Sequence, residues 1–303
     1  MRFGIDLGGT KIAGIALDDA GAKRGWVRVD TPQGDYEGTI RAVAGVVADL
    51  ERQTGTKGSV GVGMPGTIAR ARGLVKNANS VCLNGKPFDK DLAAEIGREV
   101  RCANDANCLA VSEATDGAAA GMRVVFAVIL GTGCGAGIAL HGCVHEGLNG
   151  VAGEWGHNSL PWPRDEEYPG PPCYCGKRGC IETWVSGTGL EADHARAGNP
   201  RATAVEIARW SEQGKAEALA ALERYEDRLA RSLVHVVHVL DPDIIVLGGG
   251  MSNVSRLYDN LPARLRSYAF GGDMDTRIVP AMHGDVSGVR GAAWLWGSSR
   301  GER

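Results

Sequence analysis

The sequence predicts an α/β fold made of two related halves. Three observations carry this: an internal repeat, segments of strand and helix period in alternation, and clustered glycine. Residues 6–17 (DLGGTKIAGIAL) and 129–140 (ILGTGCGAGIAL) align without gaps, agree at 7 of 12 positions and start 123 residues apart. Each copy reads as strand, glycine turn, strand, the pattern of a β-hairpin. Glycine is 45 of 303 residues, about twice the usual ~7%. Its clusters have no three-residue period, so they mark tight turns or places where backbone approaches a ligand.

The remaining elements follow in order. Thr39 to Gln53 carries Ile40, Val43, Val46, Val47 and Leu50 at helical spacing. Residues 59–66 (SVGVGMPG) read as a strand entering a turn, Leu92 to Glu99 as a short helix, Glu99 to Ala103 as a strand, and Ala106 to Ala114 as a helix. The small residues of 115–122 (TDGAAAGM) suit a boundary. After the second hairpin, 161–172 (PWPRDEEYPGPP) holds 5 of the 12 prolines and is expected to be a loop. Leu219, Leu222, Leu229, Leu233, Val236 and Leu240 recur at helical spacing until Asp241-Pro242 stops them. Ile244 to Leu247 reads as a buried strand ending in Gly248-Gly249-Gly250, Arg277 to Met282 as a last strand, and Val289 to Trp296 as a closing helix. Such alternation gives the α/β class.

Composition excludes several functions. The 33 basic and 36 acidic residues leave a net charge of −3, against a nucleic-acid partner, which calls for a basic surplus. The longest uncharged run, Val124 to Leu140, is shorter than the ~20 residues of a membrane span, so no membrane partner is expected. No apolar leader precedes FGIDLGG, and eight cysteines then fit a reducing compartment, where they are thiols or metal ligands rather than disulfides. A cytoplasmic protein is expected.

Phosphate binding is the first chemistry to emerge. Gly8, Gly9 and Thr10 can offer backbone N–H groups and a hydroxyl to phosphate oxygens, and Gly131, Thr132, Gly133 and Gly135 offer a second set. Lys11 adds a cation, and Asp6 could hold hydrated Mg²⁺ on the phosphates. Ile129 replaces that acid in the second copy. Plain hairpin turns without a ligand remain the simpler alternative. No G-x-x-x-x-G-K-[ST] loop is present. Residues 61–66 match G-x-G-x-x-G, but no helical apolar face follows, so the match is read as accidental.

Cys173, Cys175 and Cys180 place three thiols within eight residues, with His157 sixteen residues upstream. Three thiolates and an imidazole complete a tetrahedral Zn²⁺ shell with no open position, the form of a structural site. Free thiols or a redox disulfide are the alternatives.

In order along the chain, FGIDLGGTKIAGIAL, ANDANCLA, ILGTGCGAG, GEWGH and CYCGKRGCIE resemble the repressor–open-reading-frame–kinase (ROK) sugar kinases, nearly end to end. Within that family LVKNANS, LNGKPFDKDL, NDANCLAVSEA and GEWGHNSLPW are most similar to bacterial fructokinases of the manno(fructo)kinase type. The resemblance implies the actin/hexokinase-like (ribonuclease H-like) ATPase fold, with two duplicated lobes and a central cleft. The expected lobes are 1–118 with 288–303, and 119–287.

It also implies roles. Asn104-Asp105 stands before an alanine-rich helix and could simply cap it. In the similar kinases this Asp is the base that takes the proton of the attacking hydroxyl, and a helix N-terminus is expected to keep it anionic. Asn79, Asn104, Glu154, His157 and Glu182 would meet sugar hydroxyls, although Asn79 could be an ordinary loop residue and the two glutamates plain surface. The Cys/His set is the family's zinc motif, and its expected purpose is to fix Glu154 and Glu182. Mg·ATP would rest on both turns, with Gly248, Gly249 and Gly250 beside adenosine. The expected enzyme is an ATP-dependent fructokinase making fructose 6-phosphate, with mannose as a second substrate. N-acetylglucosamine kinase, glucokinase and a sugar-responsive repressor lacking its DNA-binding domain are the alternatives. A homodimer is expected.

Overall fold

The first hairpin sets a plan that the chain uses twice. Strand β1 (Arg2–Leu7) turns into β2 (Lys11–Leu17), and β3 (Lys23–Asp30) completes an antiparallel trio. Helix α1 (Tyr36–Thr54) crosses to β4 (Ser59–Met64), which lies parallel to β1. A ribbon of β5 (Thr67–Ala69) and β6 (Leu74–Lys76), then α2 (Phe88–Ile96), lead to β7 (Val100–Asn104), parallel to β4. Helix α3 (Asp105–Asp116) follows at once.

The plan then repeats with β8 (Val124–Leu130), β9 (Cys134–Leu140) and β10 (Cys143–Val144). Helices α4 (Glu182–Val185), α5 (Gly187–Arg196), α6 (Ala204–Glu212) and α7 (Ala216–Leu240) precede β11 (Ile244–Gly248). Helix α8 (Arg256–Tyr268), β12 (Arg277–Pro280) and α9 (Ser287–Trp294) close the chain. The sheets run β3-β2-β1-β4-β7 and β10-β9-β8-β11-β12. In both, the fourth strand is parallel to the first and the fifth to the fourth. The repeat seen in sequence is therefore a repeat of topology. This computed structural model describes residues 1–69 and 71–297.

Helix α1 forms because its apolar residues recur every three to four positions. It buries Ile40, Val43, Val46, Val47 and Leu50 in one core with Phe3, Ile5 and Val62. Each such side chain contributes about 1.5–3 kcal/mol. Gly55, at φ 66°, ends the helix in the left-handed region where glycine is free of strain. Helix α2 begins four residues earlier than the sequence predicts and stops at Gly97, φ 75°, so Gly97 to Glu99 lie outside it.

Helix α9 explains part of the glycine excess. A Cβ on Gly61 would lie 1.8 Å from the Ala292 carbonyl oxygen, and one on Gly4 would lie 2.0 Å from that of Val289. Bare backbone on β1 and β4 admits this helix at contact distance. The first glycine of the G-x-G-x-x-G at 61–66 thus makes room for a helix, while Gly66 lies against Lys76 and Ala78.

The chain divides into two compact units. One comprises Met1–Met122, Gly137–Ala152 and the chain from Met282 on; the other comprises Arg123–Ala136 and Gly153–Ala281. The sequence-based division, with its borders at 118/119 and 287/288, left 137–152 with the second lobe. Gly137 supplies a reason for the difference: its Cβ would lie 2.2 Å from the Ala106 carbonyl oxygen, so β9 runs onto the start of α3. Among the described residues no helix is long and apolar enough to cross a membrane.

Candidate active site

In the first unit, three parallel strands end side by side. Asp6 on β1 stands opposite Gly63 on β4, and Met64 stands opposite Asn104 on β7. Asp105 is the next residue and the first of α3. The carboxyl ends of such strands are where α/β sheets place ligands. The Asn104 side chain caps the helix, accepting from the Ala106 N–H at 2.8 Å, and Asp105 Oδ1 accepts from the same N–H at 2.8 Å. The capping role that the residue types suggested is therefore filled at this position.

The electrostatics differ from the expectation of a carboxylate lowered by its helix. Water reaches Asp105, but the protein around it desolvates the charge. That raises its carboxyl above the usual range, outweighing the Ala106 N–H and Asn104, which lower it. Asp6 is pushed up to about 6, first by burial and then by the Asp105 charge. Among the described residues no ion pair engages either acid.

The Gly8–Thr10 turn is braced from β3's end. Thr31 Oγ1 donates to the Gly8 carbonyl at 2.8 Å and Thr31 N–H to the Thr10 carbonyl at 3.0 Å. Gly9, Thr10, Thr31, Asn79 and Val81 line one cavity of ≈ 360 Å³, so the predicted phosphate turn and Asn79 come together. Lys11, expected to add a cation at this turn, is ion-paired with Asp30 on the surface.

In the second unit, the Gly131–Gly133 turn is tied to α5. Gly187 N–H donates to the Gly131 carbonyl at 2.7 Å and Thr188 Oγ1 to the Thr132 carbonyl at 2.8 Å. Gly131, Thr132, Thr188, Val205, Gly250 and Met251 line a cavity of ≈ 610 Å³. Gly249, at φ 80°, packs on β8, where a Cβ would meet the Leu130 carbonyl oxygen at 2.6 Å. Gly248 ends β11 opposite Ile129, and Gly135 sits within β9. Sequence reasoning missed Gly187, Thr188 and Val205. The signal was Ser186-Gly187-Thr188-Gly189, a capped helix start in which Ser186 Oγ accepts from the Gly189 N–H at 3.0 Å.

The metal-type cluster assembles in the same unit. Cys173 Sγ lies 3.6 Å from His157 Nδ1 and Cys175 Sγ 3.6 Å from Cys180 Sγ, and the four donor atoms lie within 4.8 Å of one another. A tetrahedron with metal–sulfur bonds of about 2.3 Å has edges of about 3.8 Å, so the set fits a thiophilic tetrahedral ion. His157 Nε2 faces Tyr174 Oη at 2.9 Å, which orients the ring with Nδ1 inward. That edge was expected at the sugar; the structure gives it Tyr174. Glu154 is exposed at the start of the 154–157 turn. Glu182, which opens α4 two residues after Cys180, accepts from the Cys134 N–H at 2.9 Å and so joins the cluster to the second turn.

The proline-rich strap that leads to Cys173 is anchored by buried charge. Glu167 Oε1 accepts from Arg228 Nε at 2.7 Å and Arg231 Nη2 at 2.8 Å, while Oε2 accepts from the Arg164 N–H at 2.9 Å. Burial alone would raise this carboxyl, but the two guanidiniums and the Arg164 N–H hold it down at about 2.

The chain matches the ROK family model over residues 2–299. It is 38% identical, over 97% of its length and 99% of the other's, to an N-acetyl-D-glucosamine kinase of Photobacterium profundum. It is similar to the crystal structure of a ROK hexokinase from Thermus thermophilus, with TM-score 0.87, 32% identity and 97% of each chain covered. A ROK family glucokinase from Streptomyces griseus, solved with glucose and AMPPNP, matches at TM-score 0.78 and 27% identity, covering 97% of this chain and 98% of that one.

Proposed function

Because the chain belongs to the ROK family, with the actin/hexokinase-like ATPase fold, we propose that it is an ATP-dependent sugar kinase that phosphorylates N-acetyl-D-glucosamine at its 6-hydroxyl. The observation that carries the choice of sugar is the full-length similarity to an N-acetyl-D-glucosamine kinase. The fructose preference expected from the sequence motifs has no support in these relatives and is replaced.

Asp105 is the general base. Its raised carboxyl makes it a better proton acceptor than an ordinary aspartate. It takes the proton of the attacking hydroxyl as the γ-phosphoryl moves, and Asn104 and Asn79 bind sugar hydroxyls. Asp6 meets the Mg²⁺ of the nucleotide substrate, and Gly8, Gly9 and Thr10 give their N–H and hydroxyl groups to phosphate. In the second unit, the 131–135 turn takes phosphate and the cavity bounded by Gly250 and Met251 takes adenosine. Glu154 and Glu182 bind sugar, while His157, with Nδ1 toward the thiols and Nε2 on Tyr174, serves the metal site rather than the sugar. Zn²⁺ on His157, Cys173, Cys175 and Cys180 supplies structural crosslinking only, and the segments carrying the two glutamates are held by it. Metal analysis of active protein should give one zinc per chain, and chelation should lower both sugar affinity and Tm; a fully active metal-free protein contradicts the role. The proposed assembly is a two-fold homodimer, which light scattering tests.

The deciding experiment for the sugar is ADP release with Mg·ATP over N-acetylglucosamine, glucose, mannose and fructose. The expected outcome is a kcat/KM for N-acetylglucosamine at least about tenfold above the others, a discrimination that polar pocket groups readily supply. A higher value for fructose would restore the sequence-based reading.

A further inference from the structure

The metal-type cluster is closed by two unlike pieces of chain. His157 lies on one side of the strap 161–172, and Cys173, Cys175 and Cys180 lie on the other. Bringing His157 to the thiols means closing that strap as a loop, at an entropic cost which falls when the strap is already ordered. The strap is not a free loop, although its prolines suggest one. Glu167 is 4% exposed and accepts from two arginines of α7. One of them, Arg231, also donates to the Pro161 and Trp162 carbonyls at 3.0 and 2.8 Å. The rings of Trp162 and Tyr268 stack at 5.9 Å. Beyond Glu167, Gly170 lies against Gly179, where a Cβ on the first would meet the second's Cα at 2.5 Å. The strap's far end is thereby delivered to the cysteine turn, with Gly179 N–H donating to the Pro171 carbonyl at 2.9 Å.

We propose that Glu167 is a positioning residue for the His157–Cys173–Cys175–Cys180 site: through Arg228 and Arg231 it fastens the strap to α7 whether or not metal is bound, so that the four donors are presented preassembled. This rests on the reading of that cluster as a zinc site. The anchor is chemically independent of the ion, since none of its atoms is a donor to the metal.

Two measurements test it. In the first, zinc affinity of the full chain is read by chelator competition for wild type, Glu167→Gln and Glu226→Gln. Glu226 is a matched control: it is fully buried and ion-paired to Arg256 and Arg264, outside the strap. Glu167→Gln is expected to bind zinc at least about tenfold more weakly, the lower end of what losing an outer support costs a metal site. Glu226→Gln should lower Tm without changing zinc affinity. Unchanged affinity in folded Glu167→Gln, or equal weakening in both variants, overturns the proposal. A wild type that binds no zinc overturns instead the zinc reading beneath it. The second measurement needs no variant: amide hydrogen exchange of wild type before and after chelation. The strap amides of residues 164–168 should keep their protection while those of 174–179 lose it. Loss of both together would mean that the metal orders the strap, contrary to the proposal.

Discussion

The two glycine turns share a plan and differ in charge. Both connect the first two strands of a sheet with the same order, and both close with a backbone bond across the turn, Gly8 N–H to the Lys11 carbonyl and Gly131 N–H to the Gly133 carbonyl, each at 3.0 Å. The first is preceded by Asp6 and flanked by Asp105; the second has Ile129 in the place of Asp6. Acid that the surrounding protein desolvates is handled in opposite ways as well. Asp6 and Asp105 have no cationic partner among the described residues, and burial raises their carboxyls. Glu167 has two guanidiniums and is held at about 2. Duplication supplied the scaffold twice, and on the proposed reading the difference in charge separates two uses: unpaired acids that titrate and move protons, and paired acids such as Glu167 that hold chain in place.

The sharpest way to break this contrast is Asp105→Asn. It should cut kcat at least ~100-fold and leave the KM for sugar within about tenfold, as expected for a base that acts in the transition state. Near-normal turnover in steady-state assays would remove the acid from the chemistry. Next, Glu167→Gln should destabilise the protein by about 2–4 kcal/mol, because it leaves buried arginines short of a partner. Asp6→Asn should do the reverse, adding about 1–3 kcal/mol at pH 7.5, because it removes an ionised group that the fold disfavours. Thermal or denaturant unfolding reads both; if both variants move the same way, the contrast fails. The smallest effect is in pH linkage. Asp6, raised from 3.8 to about 6, gives stability that is fully present below 3.8 and lost as pH rises through 6. Glu167, lowered from 4.5 to about 2, gives stability present above 4.5 and lost as pH falls toward 2. Wild type minus Asp6→Asn should therefore fall in stability between about pH 4 and 6, and wild type minus Glu167→Gln should fall only in acid.

Much of the scaffold was legible because it obeys period and punctuation. The hairpin repeat, the stripe of α1 and the stop at Asp241-Pro242 are local signals. Helices α5, α6 and α8 were not read. Helix α5 opens with Gly187-Thr188-Gly189, and α8 carries Pro262 in its interior, so local propensity argues against both; packing, with Leu257, Leu261 and Leu265 buried on α8, decides. Edge strand β3 reads as charged because it alternates exposed and half-buried residues. The cysteines and the Asn104-Asp105 pair were legible as candidates from residue type and spacing. The sign of the Asp105 shift was not, since it depends on desolvation by residues distant in sequence. Nor was the anchoring of the strap, whose partners Arg228 and Arg231 lie more than sixty positions from Glu167.

The most direct measurement is the pH dependence of kcat/KM for N-acetylglucosamine. A base held above the usual carboxyl range should give an acid limb of unit slope whose apparent pKa lies above the ordinary aspartate value of about 4, and this limb should vanish with the activity in Asp105→Asn. A wild-type profile flat down to about pH 4, or an unchanged limb in an active Asp105→Asn enzyme, would contradict the account.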